Sequence, residues 1–382
     1  MSTVFPPWRL GDKERGFRWR GFAFDFTFPN PIGYVLPALF MKYRKFKNTE
    51  LEVSEVGFGL WTVSTGWWGE YTDTEAIALM HKALDLGITL FDAADSYGNG
   101  RSEDLIAKAF PNQRDEIVIA TKIGYDYLNH GDERRGQRAI PQDFSPDALV
   151  RTTDLALKRL KTDHIDLMQL HNIGMEQVAD DAIWTTMEQL KTAGKIRNYG
   201  FALGPAIGWL YEGVRGVQER EVTVVQHIYN ILEQHPGRAI QDAATEAGRD
   251  TMFLIRVPHS SGMLEGKYTV DTTFAPTDHR IHRPRSWLLN GVKKIDTLRF
   301  LENADRSLGQ AALLWLLADP RTASTLPNIY DAEQLVEFAK APECQPLTDE
   351  EMSRIAELHA ENFGVEEEPC KFKGTMELQE SR

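Results

Sequence analysis

From about residue 53 onward, short runs of β-branched and apolar residues alternate with longer stretches of helical periodicity. The short runs read as buried strands, and the segments with apolar residues at i, i+3 and i+4 read as amphipathic helices. Candidate strands cover residues 56–60, 88–91, 117–121, 165–170, 196–201, 222–227, 253–257 and 322–326. The helical pattern occupies 74–86, 102–110, 146–160, 182–193, 207–217, 238–247, 307–317 and 332–338. Eight strands, each followed by a helix, predict an α/β chain folded as a (β/α)8 TIM barrel, whose chemistry gathers at the C-terminal ends of its strands. A doubly wound open sheet is the alternative. It lacks its expected mark, because no G-x-G-x-x-G opens a helix after the first strand.

The alternation divides the chain into an N-terminal extension over residues 1–46 that includes the start of an opening hairpin, a barrel over 47–362, and a polar tail over 363–382. The extension is aromatic-rich, and the spacing of Phe22, Phe24, Phe26 and Phe28 predicts a strand with one buried face. It is expected to pack on the barrel or on a neighbouring subunit, with a lid over the site as the other option. The stretch 259–299 is long for a structureless connection, which marks it as a functional loop.

Composition narrows the partners. With 42% hydrophobic and 26% charged residues, the chain reads as an ordinary soluble globular protein, neither disordered nor a membrane bundle. A net charge of −13 argues against a phosphate-backbone partner. The two cysteines, Cys344 and Cys370, suggest neither a disulfide framework nor a thiolate metal site, so a reducing, cytoplasmic setting is expected. The apolar stretch 31–41 is too short and proline-broken to span a bilayer, and no targeting segment is expected. The expected partner is a small molecule, not nucleic acid or membrane, and homo-oligomerisation stays open.

Reactive side chains cluster at three consecutive strand ends. Asp92 ends the second strand and Tyr97 follows in its loop, Lys122 ends the third, and His171 with Asn172 ends the fourth. Each has an ordinary structural explanation taken singly: a capping carboxylate, a turn phenol, a solvated ammonium, a core histidine. Together they suit carbonyl reduction, in which negative charge develops on oxygen and must be protonated or stabilised. A phenol can donate that proton. A neighbouring ammonium favours the phenolate, so Lys122 would activate Tyr97 while Asp92 holds the ammonium and His171 orients the carbonyl.

Asp92, Tyr97, Lys122 and His171, so spaced, resemble the catalytic tetrad of the aldo-keto reductases. The segments 41–44, 56–61, 194–197, 226–230 and 262–268 are also similar to that family, and the resemblance covers about residues 41–362. It implies a barrel that binds NADP(H), less often NAD(H), across its C-terminal rim and transfers hydride between the cofactor and a small aldehyde, ketone or sugar carbonyl or alcohol. It further implies that Asn172 and Gln226 hold the nicotinamide carboxamide, and that Gly59, Leu60 and Trp61 form a cofactor and substrate wall. It places Gly262, Leu264, Gly266 and Lys267 in a pyrophosphate-contacting loop, makes Pro258 and Arg256 further cofactor-binding positions, and puts Gln334 and Glu337 in the adenosine segment.

Departures from the family pattern carry information too. Ala202 and Leu203 replace two polar cofactor contacts after the fifth strand, and Arg256 stands where the family presents an aromatic that stacks on the nicotinamide. Its charge would disfavour an oxidised, cationic ring. No arginine directly follows the eighth strand to grip a 2′-phosphate, while Arg280, Arg283 and Arg285 with His279 and His282 form a basic cluster that could fold over the cofactor. Two other functions are weighed. A cofactor-sensing regulatory barrel with little turnover, as in the potassium-channel beta subunits, suits the aromatic extension. A metal-dependent hydrolase lacks an H-x-H pair after the first strand and a second histidine near His171.

Overall fold

The computed structural model describes residues 41–131, 140–204, 209–276 and 278–366. The expectations for the aromatic extension up to residue 40 and for the tail from residue 367 lie outside these.

The described chain opens with an antiparallel hairpin, β1 (Tyr43–Lys45) and β2 (Glu52–Ser54). Eight parallel strands follow: β3 (Phe58–Gly59), β4 (Leu90–Asp92), β5 (Val118–Ile123), β6 (Ile165–His171), β7 (Ile196–Ala202), β8 (Val224–Ile228), β9 (Met252–Arg256) and β10 (Thr322–Leu326). They lie in chain order, each hydrogen-bonded to the next. The ends of this sheet meet: Gly57 donates to the Thr325 carbonyl and Thr325 to the Glu55 carbonyl, both at 2.9 Å, which closes the barrel. All eight predicted strands are present within two residues of the expected bounds.

Period-2 alternation along the strands sorts the side chains into two cores. Leu90, Ala120, Leu167, Val224, Leu254 and Ala323 pack in one cluster with Phe46, Leu51 and Val53 of the hairpin region, filling the barrel floor. Phe91, Ile119, Met168, Phe201, Val225 and Ile255 point the other way and meet helix residues such as Met80, Ile106, Leu149, Ile240 and Leu313. Two residues beyond the floor layer, on the same inward face, stand Asp92, Lys122, Gln169, Gln226 and Arg256. The hydrophobic barrel therefore ends in a ring of polar groups at its C-terminal mouth.

Local chemistry starts the helices where the pattern predicts. Thr72 with Glu75 and Ser307 with Gln310 form capping boxes at Asp73–Asp85 and Leu308–Leu317, and Ser145 caps Pro146–Leu160 with proline in the first turn. The long stretch after β9 is not structureless. It contains the helix Arg285–Leu298, which packs Leu288, Ile295 and Leu298 into the main core. A further helix, Asp349–Ala360, follows the last barrel unit. At the seam, Arg44 pairs with Glu55 at 2.8 Å and donates to the carbonyls of Asp319 and Thr322 at 2.8 and 2.7 Å. No described helix is long and apolar enough to cross a membrane.

Candidate functional site

Lys122 has no exposed surface and is paired with Asp92, itself 4% exposed, at 2.6 Å. Its Nζ also donates to the Ala93 carbonyl at 2.9 Å. The other Asp92 oxygen accepts from Gln169 Nε2 at 3.2 Å and Gln226 Nε2 at 3.0 Å. A charge pair this deep is tolerable because both partners are hydrogen-bonded on several sides.

The loop after β4 carries Tyr97 over this pair. Asp95 N donates to the Lys122 carbonyl, and the Ser102 hydroxyl donates to the Ala94 carbonyl while accepting from Ala94 N. Gly98 turns the chain at φ 60°, where an added Cβ would lie 2.5 Å from the Ser64 carbonyl oxygen, so only glycine fits. The Lys122 ammonium thereby sits 4.9 Å from the centre of the Tyr97 ring. Tyr97 meets Trp61 edge to face at 4.8 Å and His171 at 5.7 Å. The four side chains expected to act together are brought together, and Trp61 walls them.

Asn172 follows β6 at φ 55°; its Nδ2 donates to the Tyr125 hydroxyl at 2.8 Å, while its buried Oδ1 accepts no hydrogen bond. A buried amide oxygen without a donor suits a ligand that brings an N–H, and a nicotinamide carboxamide does. Gln226, expected to share that role, instead spends its amide nitrogen on Asp92 and lies 3.3 Å from Gln169 Oε1. Leu60 and Leu264 are fully buried in the main core, so only their backbones are available to a ligand. Gly59 ends β3 with open space beside it, and Pro258 is buried just past β9.

Arg256 ends β9, in register with Ile228 of β8 and Leu326 of β10. Its Nη2 donates to the carbonyl of Leu203 at 2.6 Å and to that of Gly204. Burial lowers the guanidinium's pKa from its ordinary value, opposed by the nearby Tyr97, Asp92 and Tyr125. The backbone beyond it is held at φ 55° at Val257, an unusual angle for a β-branched residue, with Asn230 Nδ2 donating to the Val257 carbonyl at 3.0 Å.

A second polar group forms after β9 and β10. Gln334 Nε2 donates to Glu265 at 3.0 Å, Gln334 Oε1 accepts from Tyr330 N, and Lys267 lies 3.6 Å from Glu337. Burial pushes the Glu265 carboxyl up to about 7. Gly262 and Gly266 flank this turn at φ 91° and 72°. The basic cluster divides its duties. Arg280 pairs with Asp278, bonds the Tyr268 hydroxyl, and lies 4.7 Å over Trp68, 4.8 Å over Phe274 and 5.6 Å over Tyr330. His279 N bonds the Trp67 carbonyl at 3.1 Å, fastening this loop to the one after β3. Arg283 stacks 5.4 Å over Trp287, and Arg285 donates to the carbonyls of Thr272 and Val270.

A buried charged network, outside the expected site residues, adjoins the loop that carries Tyr97. Glu103 accepts from Thr121 at 2.7 Å and Arg159 at 2.6 Å, and Arg159 donates to the Tyr127 hydroxyl at 2.6 Å. Burial, with Glu103 nearby, raises the Asp95 carboxyl well above the usual range, and burial pushes the Tyr127 phenol up to about 12. The signal was present as charged residues on otherwise apolar helix faces. Among the described residues, no group of three His, Cys, Asp or Glu side chains is placed to hold a metal ion.

Residues 55–360 match the model of the Aldo/keto reductase family. The chain is 30% identical over 294 residues to aldo-keto reductase YhdN of Bacillus subtilis, covering 73% of this chain and 82% of that protein. It is 28% identical over 339 residues to the L-glyceraldehyde 3-phosphate reductase of Escherichia coli O157:H7, covering 82% and 91%. Among solved structures, the holo form of aldo-keto reductase AKR11C1 from Bacillus halodurans is similar with a TM-score of 0.66 and 27% identity, covering 84% of this chain and 96% of that one.

Proposed function

The chain belongs to the aldo/keto reductase family, a family of NAD(P)-dependent carbonyl oxidoreductases, and from that premise we propose that it interconverts a small aldehyde, ketone or sugar carbonyl with its alcohol, using Tyr97 as the general acid and base. The observation that carries this reading is the Tyr97 ring set 4.9 Å from an ammonium that Asp92 locks in place, with the His171 ring 5.7 Å from the phenol ring. A bound nicotinamide dinucleotide supplies and accepts the hydride.

Tyr97 gives a proton to the developing alkoxide in reduction and takes it back in oxidation. Lys122 stabilises the phenolate left behind, and its burial keeps that interaction from being screened by water. His171 donates to the carbonyl oxygen and fixes its approach. Asn172 offers its vacant Oδ1 to the carboxamide, and Gln226 serves through Asp92 by holding the carboxylate in register. Gly59 and Trp61 wall the mouth, the backbone of the turn from Pro258 through Gly262, Leu264 and Gly266 faces the pyrophosphate with Lys267, and Gln334 and Glu337 meet the adenosine. NADP(H) over NAD(H) is carried over from the resemblance.

Titration of the purified protein with NADPH and NADH, followed by tryptophan fluorescence in the parent and in Trp61→Phe, tests the reading. Low-micromolar binding of either form supports it and chooses the cofactor. Absence of binding by both refutes it. Multiple turnovers with a carbonyl substrate separate an enzyme from a regulatory barrel, which would bind the dinucleotide and stall.

A further inference from the structure

We propose that Arg256 makes the catalytic mouth discriminate between the two oxidation states of the dinucleotide, holding the reduced, neutral ring more tightly than the oxidised, cationic one, so that the protein is loaded preferentially with the form that carries hydride. The inference rests on the dinucleotide reading above and deepens it.

The charge count of the mouth carries the proposal. Strand alternation places Arg256 on the same inward face as Lys122 and Asp92, two residues above the floor layer that includes Leu254, Ala120 and Leu90. Lys122 and Asp92 neutralise each other at 2.6 Å. Arg256 has no such partner: among the described residues no carboxylate lies within ion-pair distance of it, and the groups it touches are the neutral carbonyls of Leu203 and Gly204. Its Nε is buried without a hydrogen-bond acceptor. The three inward-facing groups therefore sum to one positive charge, held permanently because a guanidinium does not give up its proton in proteins.

His227, on β8 next to Arg256 in the sheet, has its imidazole pushed down to about 4 by burial, with its bond to the Ile228 carbonyl opposing and the Arg256 guanidinium adding a smaller push downward. The reacting ring must come into the same field, since a hydride reaches a carbon only from about 3–3.5 Å and that carbon's oxygen lies at Tyr97 and His171. An oxidised, cationic ring there would be disfavoured by the excess charge, and a neutral, reduced ring would not. At an effective dielectric near 20, two unit charges anywhere within about 10 Å of each other alter an equilibrium by roughly tenfold or more.

The test is the ratio of dissociation constants for oxidised and reduced dinucleotide, measured calorimetrically with NADPH and NADP⁺ and with NADH and NAD⁺. It is read on the full chain and on Arg256→Gln, which keeps an amide donor for the two carbonyls, and Arg256→Lys, which keeps the charge. The parent is expected to favour the reduced form. Arg256→Gln is expected to shrink that preference about tenfold, chiefly by tightening the oxidised form, while Arg256→Lys retains most of it. Because both forms are titrated on the same preparation, a partly misfolded variant lowers the active fraction without moving the ratio. A ratio unchanged within twofold between the parent and Arg256→Gln overturns the proposal with the dinucleotide reading intact. Failure of the parent to bind any of the four overturns both.

Discussion

Replacing Lys122 with methionine isolates the charge pair at the centre of the mouth. Methionine fills nearly the same space without charge, and leaves the Asp92 carboxylate, 4% exposed, with only the Gln169 and Gln226 amides at 3.2 and 3.0 Å. Stranding a buried charge in this way costs about 3–5 kcal/mol. Domains of this kind are stable by about 5–15 kcal/mol, so the variant folds but unfolds at markedly lower denaturant. Adding Asp92→Asn removes the stranded charge, and the double variant should recover about 2 kcal/mol relative to Lys122→Met. Turnover should not follow stability: both variants lack the ammonium 4.9 Å from the Tyr97 ring, and both should lose about a hundredfold or more in kcat. Urea unfolding followed by tryptophan fluorescence on all four chains, with steady-state turnover below the transition, gives the cycle. An unfolding free energy for Lys122→Met within about 0.5 kcal/mol of the parent, or zero coupling between the two positions, would refute the pairing argument.

Three further outcomes follow from the geometry. Tyr97→Phe should keep dinucleotide affinity within a few-fold while kcat falls about 10²–10⁴-fold, and unchanged turnover in that variant would remove the phenol from the mechanism. Glu265 holds its proton up to about pH 7 in the fold against an ordinary value of 4.5, so its contribution to stability is fully present below 4.5 and is lost as pH rises through about 7. Glu265→Gln should therefore match the parent near pH 5 and exceed it by about 1–3 kcal/mol at pH 8; a parent–variant gap that is the same at both pH values would contradict this. Arg44→Met strands the Glu55 carboxylate and the carbonyls of Asp319 and Thr322, and thermal or urea melts should show a loss of about 2–4 kcal/mol with kcat per folded molecule unchanged.

The barrel was legible because its strands are short apolar runs between capped amphipathic helices, and both signals are local. The tetrad was legible for a related reason: Asp92, Lys122 and His171 each interrupt an apolar run near its end, where the strand leaves the core. What escaped was built from distant pieces. The Arg280 platform draws Trp68, the pair Tyr268 and Phe274, and Tyr330 from three separate loops, and no local pattern ties them together. The helix Arg285–Leu298 begins after Pro284 with no side-chain cap, so it was read as loop. The helix Asp349–Ala360 did carry a Thr348–Glu351 capping box, a signal that was there to be used. Gln226 is placed at the carboxamide by the resemblance alone; its position two residues above Val224 on the inward face sets its amide nitrogen 3.0 Å from Asp92, a contact that no local pattern announces. The Glu103–Arg159 pair required knowing that two helices meet behind Tyr97.

The seam between β3 and β10 sets an order of events for the chain as it is made. Its hydrogen bonds join Glu55 and Gly57 to Thr325, and Arg44 reaches residues 275 and 278 positions away. A chain emerging N-terminus first can pair each strand with its predecessor as soon as the intervening helix is complete, but β3 keeps an unsatisfied edge until β10 arrives. Until then the growing barrel is an open, curling sheet, and the hairpin residues Phe46, Leu51 and Val53 have only part of the floor they will cover. Contacts this remote in sequence slow folding, because the ends must be brought together before closure rewards them. Closure of the ring of Asp92, Lys122, Gln226 and Arg256 at the opposite mouth depends on that late step, so a ribosome-bound chain truncated before residue 322 should hold most of its secondary structure, and the Asp92–Lys122 pair of neighbouring strands, without the closed ring.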